Sequence, residues 1–207
     1  MTIISLKAEK PREDGVVEAK FSDGSLFLFS TDYLPEAFNA GLLEEGRELA
    51  GSEEEALRFA ASCYRAEKAA LKLIARAEQN SLGLTFKLER RGHDAPIVKA
   101  VVSRLLDRDL LNDERFAELW LRSHLSYGKA QSPQWLLASL GKRGVDRNSS
   151  QKALKSLLDP ETEYALLLRY LEKAGIDKEK ESFLRSRLKN EGFSYDVLER
   201  YFDSYTD

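Results

Sequence analysis

One short phrase occurs three times in this chain: a leucine, three mostly polar residues, a glycine and a bulky residue. It spans Leu88–His93, Leu140–Val145 and Leu188–Phe193, so the three glycines lie 52 and then 48 residues apart. An internal period of this size is typical of arrays of supersecondary units. Because glycine adopts the left-handed conformation in which many helices end, each copy predicts a helix stop. Arrays of this kind present a long surface rather than a pocket.

The first quarter of the chain differs from the rest. Three short runs are rich in β-branched and aromatic residues: 3–7, 16–21 and 26–29. Turn-forming residues 22–25 join the last two runs, which predicts a small hairpin sheet of up to three strands. Residues 31–43 predict a short helix. We therefore expect an N-terminal module over residues 1–51, with a linker near Gly51.

The remainder reads as helices. Ser52, with a glutamate three residues later, forms a predicted capping box, and Asp94 caps a later helix. Ser132-Pro133 and Asp159-Pro160 are strong start signals, because proline at the first helical position loses no hydrogen bond. These signals predict a mainly all-α fold with nine helices in three triplets. The triplets occupy three successive ranges: 52–111, 112–158 and 159–207.

The net charge of −3 hides an uneven distribution. Residues 1–62 carry 6 Lys/Arg against 13 Asp/Glu, and residues 156–207 carry 8 against 12. Between them, residues 63–128 carry 12 against 9, and residues 129–155 carry 6 against 1. A basic middle between acidic ends favours a polyanion or an acidic protein as partner, although solvated helix faces would give the same pattern.

The sequence does not predict an enzyme. His93 and His124 lie 31 residues apart without a second ligand at helical spacing, and Cys63 falls on an apolar helical face typical of a core residue. No phosphate-binding loop, dinucleotide fingerprint or paired-cysteine zinc signature is present, so we expect no metal and no cofactor. No run approaches the roughly 18 apolar residues of a membrane helix, and a cytoplasmic protein is expected.

Nucleic acid is one candidate partner. Base readout requires Arg, Lys, Asn or Gln on a helix after a glycine turn, and residues 147–158 provide the best set. We favour the simpler interpretation that this is a packing helix whose polar residues face water. Nonspecific phosphate contact, in contrast, needs only clustered cations. Trp120 and Trp135 could stack on bases, but the spacing of Trp120 from Phe116 favours core packing. The candidate phosphate contacts are Lys87, Arg147, Lys152 and Lys155.

The second triplet resembles a known family. The segment Leu105–Asp113, followed by Glu114–Arg122, is similar to the signature of the RecX family of recombinase regulators. The resemblance covers Leu71–Leu158 and continues into the third triplet through the repeat pattern. The segments Leu88–Gly92 and Lys142–Val145 also match the family's repeat endings.

This resemblance implies three tandem three-helix repeats in an elongated, curved array, without catalysis. It implies binding to the RecA recombinase in the groove of the RecA–DNA filament, inhibition of ATPase activity and strand exchange, and weak binding to single- or double-stranded DNA. We expect a monomer. Cations at the first two repeat endings and on the helix between them are the expected filament contacts: Arg90, Arg91, Arg122, Lys142 and Arg143. Two alternatives stay open, a helical DNA-binding protein acting independently of RecA and a scaffold for an unrelated protein.

Overall fold

The computed structural model describes residues 1–8, 15–35, 43–126, 130–175 and 181–204. Within these residues the chain is mainly α-helical with one small sheet, as predicted. The strands are β1 (Ile3–Ala8), β2 (Val16–Phe21) and β3 (Leu26–Ser30), followed by a 3₁₀ helix (Thr31–Tyr33). The helices are α1 (Gly51–Ile74), α2 (Ser81–Glu89), α3 (Ala95–Asp107), α4 (Asp113–Ser126), α5 (Pro133–Lys142), α6 (Arg147–Leu157), α7 (Pro160–Ala174), α8 (Glu181–Asn190) and α9 (Tyr195–Asp203).

The chain divides into two compact units. The first comprises residues 1–77 and 84–110, and the second comprises residues 78–83 and 111–207. The first unit therefore contains the sheet, α1, α3 and most of α2. The second contains the start of α2 together with α4 to α9.

In the first unit, the three strands form an antiparallel sheet in the order β1-β2-β3, which confirms the predicted hairpin. Alternating side chains of the sheet pack against α1 in a core that includes Ile3, Phe21, Phe29 and Leu57. The helix predicted over residues 31–43 is wrong where the structure describes it. The 3₁₀ helix ends at Tyr33, the next residues are not helical, and residues 36–42 lie outside the described ranges.

The start of α1 also differs from the prediction by one to two residues. The helix begins at Gly51, with Ala50 as its N-cap, and the Glu53 carboxylate accepts a hydrogen bond from the Ala50 amide at 2.8 Å. Ser52 therefore lies inside the helix instead of capping it. The Arg47 guanidinium donates to the same carboxylate at 2.7 Å. The capping carboxylate thus comes from Glu53, and Gly51 is the first residue of α1.

An ion-pair cluster joins α3 to α1 and to the 3₁₀ helix. The Arg104 guanidinium donates to the Asp32 carboxylate and, at 3.3 Å, to the buried Glu67 carboxylate of α1. Arg108 also donates to Asp32, at 2.9 Å. Cys63 is fully buried beside this cluster, as predicted for a core residue. Burial raises the pKa of its thiol to about 12, and the negative charge of Glu67 contributes to that rise.

The three recurring phrases end three helices with the same geometry. The glycines at positions 92, 144 and 192 have φ values of 84°, 85° and 86°. In each copy the amide after the glycine donates to the carbonyl of the leucine at the start of the phrase, at 3.2–3.3 Å. Each of these leucines, Leu88, Leu140 and Leu188, is fully buried. This is the Schellman arrangement, in which a left-handed residue satisfies the last helical carbonyls, so the predicted helix stops are confirmed.

In the second unit, two of these turns dock on the start of another helix. The Asn80 side-chain amide, just before α2, donates to the carbonyl of Arg143. A Cβ atom on Gly144 would lie 2.3–2.9 Å from the Leu82 side chain. Similarly, the Gln134 amide at the start of α5 donates to the carbonyl of Glu191 at 2.9 Å. The ends of α5 and α8 therefore contact the starts of α2 and α5.

Carboxylates satisfy the helix starts in the second unit in two ways. Asp146 and Asp159 accept hydrogen bonds from the first amides of α6 and α7, at 2.9–3.0 Å. In α2 and α9 the acceptor comes from a different helix. Asp113 accepts from the amide and hydroxyl of Ser81, and Glu163 accepts from those of Ser194, at 2.6–2.8 Å.

The remaining sequence signals fall into two groups. Ser132 caps α5 as predicted, with its hydroxyl accepting from the Trp135 amide at 3.2 Å. The sequence also predicts a helix end at Gly128 and a helix start at Asp177, and both positions lie outside the described residues. Apolar residues of α4 to α9 form one continuous core in the second unit, with Leu121, Leu136, Leu140, Leu166 and Leu188 at its most buried positions.

Candidate interaction surface

The predicted contact residues of the first unit lie at the end of α2. Lys87, Arg90 and Arg91 are all exposed, and the last two immediately precede Gly92. The Arg91 guanidinium reaches the carbonyl of Ala69 on α1, at 3.5 Å. This turn therefore brings Arg91 onto the surface of α1.

In the second unit, the corresponding residues are Lys142 and Arg143, and both are exposed. The Arg143 guanidinium donates to the Ser139 carbonyl at 2.8 Å and lies over the Trp120 ring, 4.7 Å from its centroid. Arg143 thus holds a fixed orientation, because a cation over an aromatic face is attracted to the negative face of the ring.

Trp120 is the centre of an aromatic stack. The His124 ring stacks on it with centroids 3.7 Å apart, and the Trp135 ring lies 6.4 Å away at an interplanar angle of 24°. Trp120 is half-buried against the core of the second unit, in agreement with the predicted packing role, whereas Trp135 is 42% exposed. Arg143 and Trp135 thus combine an oriented cation with exposed aromatic area, a pairing common at the centre of protein interfaces.

The other predicted cations lie on α4 and α6. Arg122 is exposed on α4. On α6, Arg147, Lys152 and Lys155 are exposed, and the Lys152 ammonium lies 3.8 Å from the Glu114 carboxylate. Hydrogen bonds from Ser149 and Asn148 lower the pKa of Asp146 at the start of α6. These two carboxylates reduce the positive potential along α6, so the helix is a weaker phosphate site than its sequence indicates.

The third turn carries no corresponding cations. Asn190 and Glu191 precede Gly192 in place of the two basic residues at the first two turns. The backbone geometry of the three turns is therefore shared, whereas their surface charge is not.

Among the described residues, the structure also contains a basic groove that the sequence reasoning did not identify. It encloses about 340 Å³ and is lined by the cations Arg65, Lys68, Lys72, Arg76 and Arg91, together with Ala69 and Leu73. We refer to it as the α1 basic groove. Arg65, Lys68 and Lys72 occur at i, i+3 and i+7 of α1, and Arg76 follows just after the helix end. This spacing, which can be read from the sequence, predicts a charged face.

Neither a metal site nor a membrane-spanning helix occurs among the described residues. No group of three or more His, Cys, Asp or Glu side chains is arranged to hold a metal ion. No described helix combines the length and hydropathy needed to cross a membrane.

Comparison with known proteins gave consistent results. The chain is 40% identical over 118 residues to a regulatory protein RecX of Treponema pallidum (strain Nichols), covering 57% of this chain and 71% of that protein. It is 33% identical over 155 residues to a regulatory protein RecX of Halorhodospira halophila, covering 72% and 88%. No family model matches the chain.

Two solved structures have the same fold. A crystal structure described as regulatory protein RecX superposes with a TM-score of 0.67 at 20% identity, covering 98% of both chains. A crystal structure of RecX from Lactobacillus salivarius gives a TM-score of 0.53 at 22% identity, covering 69% of this chain and 96% of that one.

Proposed function

Because the chain belongs to the RecX family, we propose that it regulates the RecA recombinase by binding the RecA–DNA filament, without catalysis of its own. The relatives that support family membership are named regulatory proteins. The partner follows from the family resemblance of the second triplet. We further propose that the protein acts in the cytoplasm, as a monomer, and that it lies in the groove of the filament and inhibits ATPase activity and strand exchange.

The choice of contact residues rests on the difference in charge between the three glycine turns. Exposed cations precede the first two glycine turns, whereas Asn190 and Glu191 precede the third. A single exposed ion pair contributes only about 0.2–1 kcal/mol, so one such turn is a weak contact. Several turns engaged at once increase the contact area and the rate of association with an anionic surface.

Among these cations, Arg143 has a distinct role. Its guanidinium already contacts the Ser139 carbonyl and the Trp120 ring. We propose that it presents a fixed charge next to Trp135, whereas Lys142 contributes a mobile charge. Substitution of Arg143 would also disturb its own unit, and it is therefore a poor first choice for testing the interface.

The proposal is tested with Arg90→Glu/Lys142→Glu, which reverses one cation at each of the first two turns. The readout is the single-strand-dependent ATPase activity of RecA across a concentration series of the variant. If each reversal costs about 0.7 kcal/mol, the concentration giving half-maximal inhibition rises about tenfold.

The matched control is Lys20→Glu/Lys189→Glu, which makes the same change in net charge at two exposed positions, on β2 and near the third turn. We expect it to inhibit like the unmodified protein. Equal inhibition by both double variants would contradict the assignment of the first two turns. Stimulation of the ATPase by the unmodified protein would contradict the inhibitory direction.

A further inference from the structure

The positive charge of the α1 basic groove is not neutralised by carboxylates within the groove. All five of its basic side chains are exposed, and the residues that line it include no carboxylate. The contacts found for its cations within the described parts of the chain are to neutral groups. Arg65 donates to the Ser62 hydroxyl at 3.1 Å, Lys68 lies 5.2 Å from the centroid of the Tyr64 ring, and Arg91 contacts the Ala69 carbonyl.

Other cations of the same unit are neutralised by carboxylates. Arg58, also exposed on α1, pairs with Glu54 four residues earlier at 2.7 Å. The buried carboxylate of α1, Glu67, is bonded to Arg104 of α3. Glu67, the acidic residue that lies between Arg65 and Lys68 in sequence, is thus engaged elsewhere. Because no carboxylate lines the groove, its charge is available to a ligand.

The spacing of the cations indicates the shape of that ligand. At 1.5 Å per residue, Arg65, Lys68 and Lys72 of α1 are separated by about 4.5 and 6 Å along the helix axis. Arg76 follows just beyond the helix end at Ile74. The three cations of α1 form a row about 10 Å long. Arg76 and Arg91 extend the groove beyond this row. A regular row of positive charges fits a ligand with a regular row of negative charges.

The composition of the groove favours nucleic acid over an acidic protein. Specific protein interfaces have an apolar or aromatic centre, and this groove offers only Ala69 and Leu73 between its cations. Phosphate contacts require only clustered Lys and Arg.

We propose that the α1 basic groove binds the phosphate backbone of single-stranded nucleic acid, independently of base sequence. This site is separate from the cations at the glycine turns, apart from Arg91, and from those of α6. The proposal does not rest on binding to RecA, because it requires only the described geometry of the first unit.

The test uses the full chain and a fluorescein-labelled oligothymidylate of about 20 nucleotides, with fluorescence anisotropy recorded between about 50 and 200 mM salt. The variant is Lys68→Gln/Lys72→Gln/Arg76→Gln. On a logarithmic plot, each phosphate neutralised on a single strand contributes about −0.7 to the slope of affinity against salt. The triple variant should therefore weaken binding at low salt and reduce the magnitude of the slope by about 2.

Two controls accompany it. Arg58→Gln removes a cation of the same helix that is already paired, and it should leave affinity and slope unchanged. Lys68→Arg/Lys72→Arg/Arg76→Lys keeps the charge and should bind like the unmodified protein. Far-ultraviolet circular dichroism checks that α1 is intact in each variant, as expected because glutamine, lysine and arginine have similar helix propensities.

Three results would overturn the proposal. The first is an unmodified protein that does not bind the oligonucleotide. The second is a triple variant with unchanged affinity and salt slope. The third is loss of affinity for polyglutamate, a probe for acidic protein, without loss of affinity for the oligonucleotide. The RecA ATPase assay run in parallel separates the two proposals, since a variant that loses oligonucleotide binding and still inhibits RecA supports the groove as an independent site.

Discussion

Replacing Gly144 by alanine tests the docking of the second glycine turn. Gly144 has a φ of 85°, and an added Cβ would lie 2.3 Å from Cδ2 and 2.5 Å from Cβ of Leu82. Rotation of the Leu82 side chain can move its Cδ2 but not its Cβ, so the backbone of α2 or of the turn has to shift. Gly92→Ala offers a control with the same φ, because nothing lies within 4 Å of an added Cβ there.

The magnitudes follow from two separate costs. A left-handed conformation costs an L-residue about 1–2 kcal/mol, and this cost applies equally at both positions. Overpacking against a fixed neighbour adds about 1–3 kcal/mol, which applies to Gly144 alone. We therefore expect Gly144→Ala to lower the free energy of unfolding by about 2–5 kcal/mol and Gly92→Ala by about 1–2 kcal/mol. Gly192→Ala should lie between them, because its nearest contacts are at 3.3–3.4 Å.

The assay is urea unfolding followed by far-ultraviolet circular dichroism, with each transition fitted separately. Gly192 and Gly144 belong to the same unit, so their comparison does not depend on differences between the two units. If Gly144→Ala is no more destabilising than Gly92→Ala and Gly192→Ala, the close approach to Leu82 does not constrain the turn, and the docking argument fails.

Two further predictions concern buried groups. Because the folded pKa of Cys63 is raised above that of a free thiol, the unfolded chain releases this proton first. The free energy of unfolding should therefore fall as pH rises from about 9 towards 12. Measured by urea unfolding, Cys63→Ala should lose less stability between pH 8.5 and 10.5 than the unmodified protein. Identical pH slopes for the two proteins would refute this. Glu163→Gln weakens the acceptor for the Ser194 amide and hydroxyl, so it should lower the free energy of unfolding by about 1–3 kcal/mol in the same assay. Glu161→Gln, an exposed change on the same helix, should lower it far less.

Local signals were sufficient to predict much of the fold. The glycine turns and the helix starts at Ser132 and Asp159 depend on residues within six positions of one another, and the structure confirms each of them. The hairpin turn is also local. The Asp23 carboxylate accepts from the Ser25 amide and hydroxyl, and Gly24 has a φ of 85°.

Contacts between distant residues were not predictable in the same way. Asp113 and Glu163 look like ordinary acidic residues near helix starts. Their partners, Ser81 and Ser194, lie 32 and 31 positions away, and no periodicity in the sequence pairs them. Over residues 31–35, which the structure describes, the predicted helix was wrong because apolar spacing does not reveal that the 3₁₀ helix ends at Tyr33.

The candidate surface was predictable only in part. Lys142 and Arg90 were identified because they adjoin a recognisable glycine. Arg65, Lys68 and Lys72 occur at a spacing that can be read from the sequence, but most charged helix faces are merely solvated. Only the three-dimensional arrangement shows that Arg91 joins their row and that their neighbours are not carboxylates.

The docked turns constrain the length of α5. Ser132 caps its start, Gly144 follows its end, and both ends are engaged, through Gln134 with Glu191 and through Gly144 with Leu82. Gly144 comes twelve positions after Ser132, and Gly92 comes twelve positions after Asn80. One inserted residue would rotate one end relative to the other by about 100° and displace it by 1.5 Å, which breaks one docking or the other. Changes of length in this chain should therefore be tolerated between helices or as whole triplets, and not within α5.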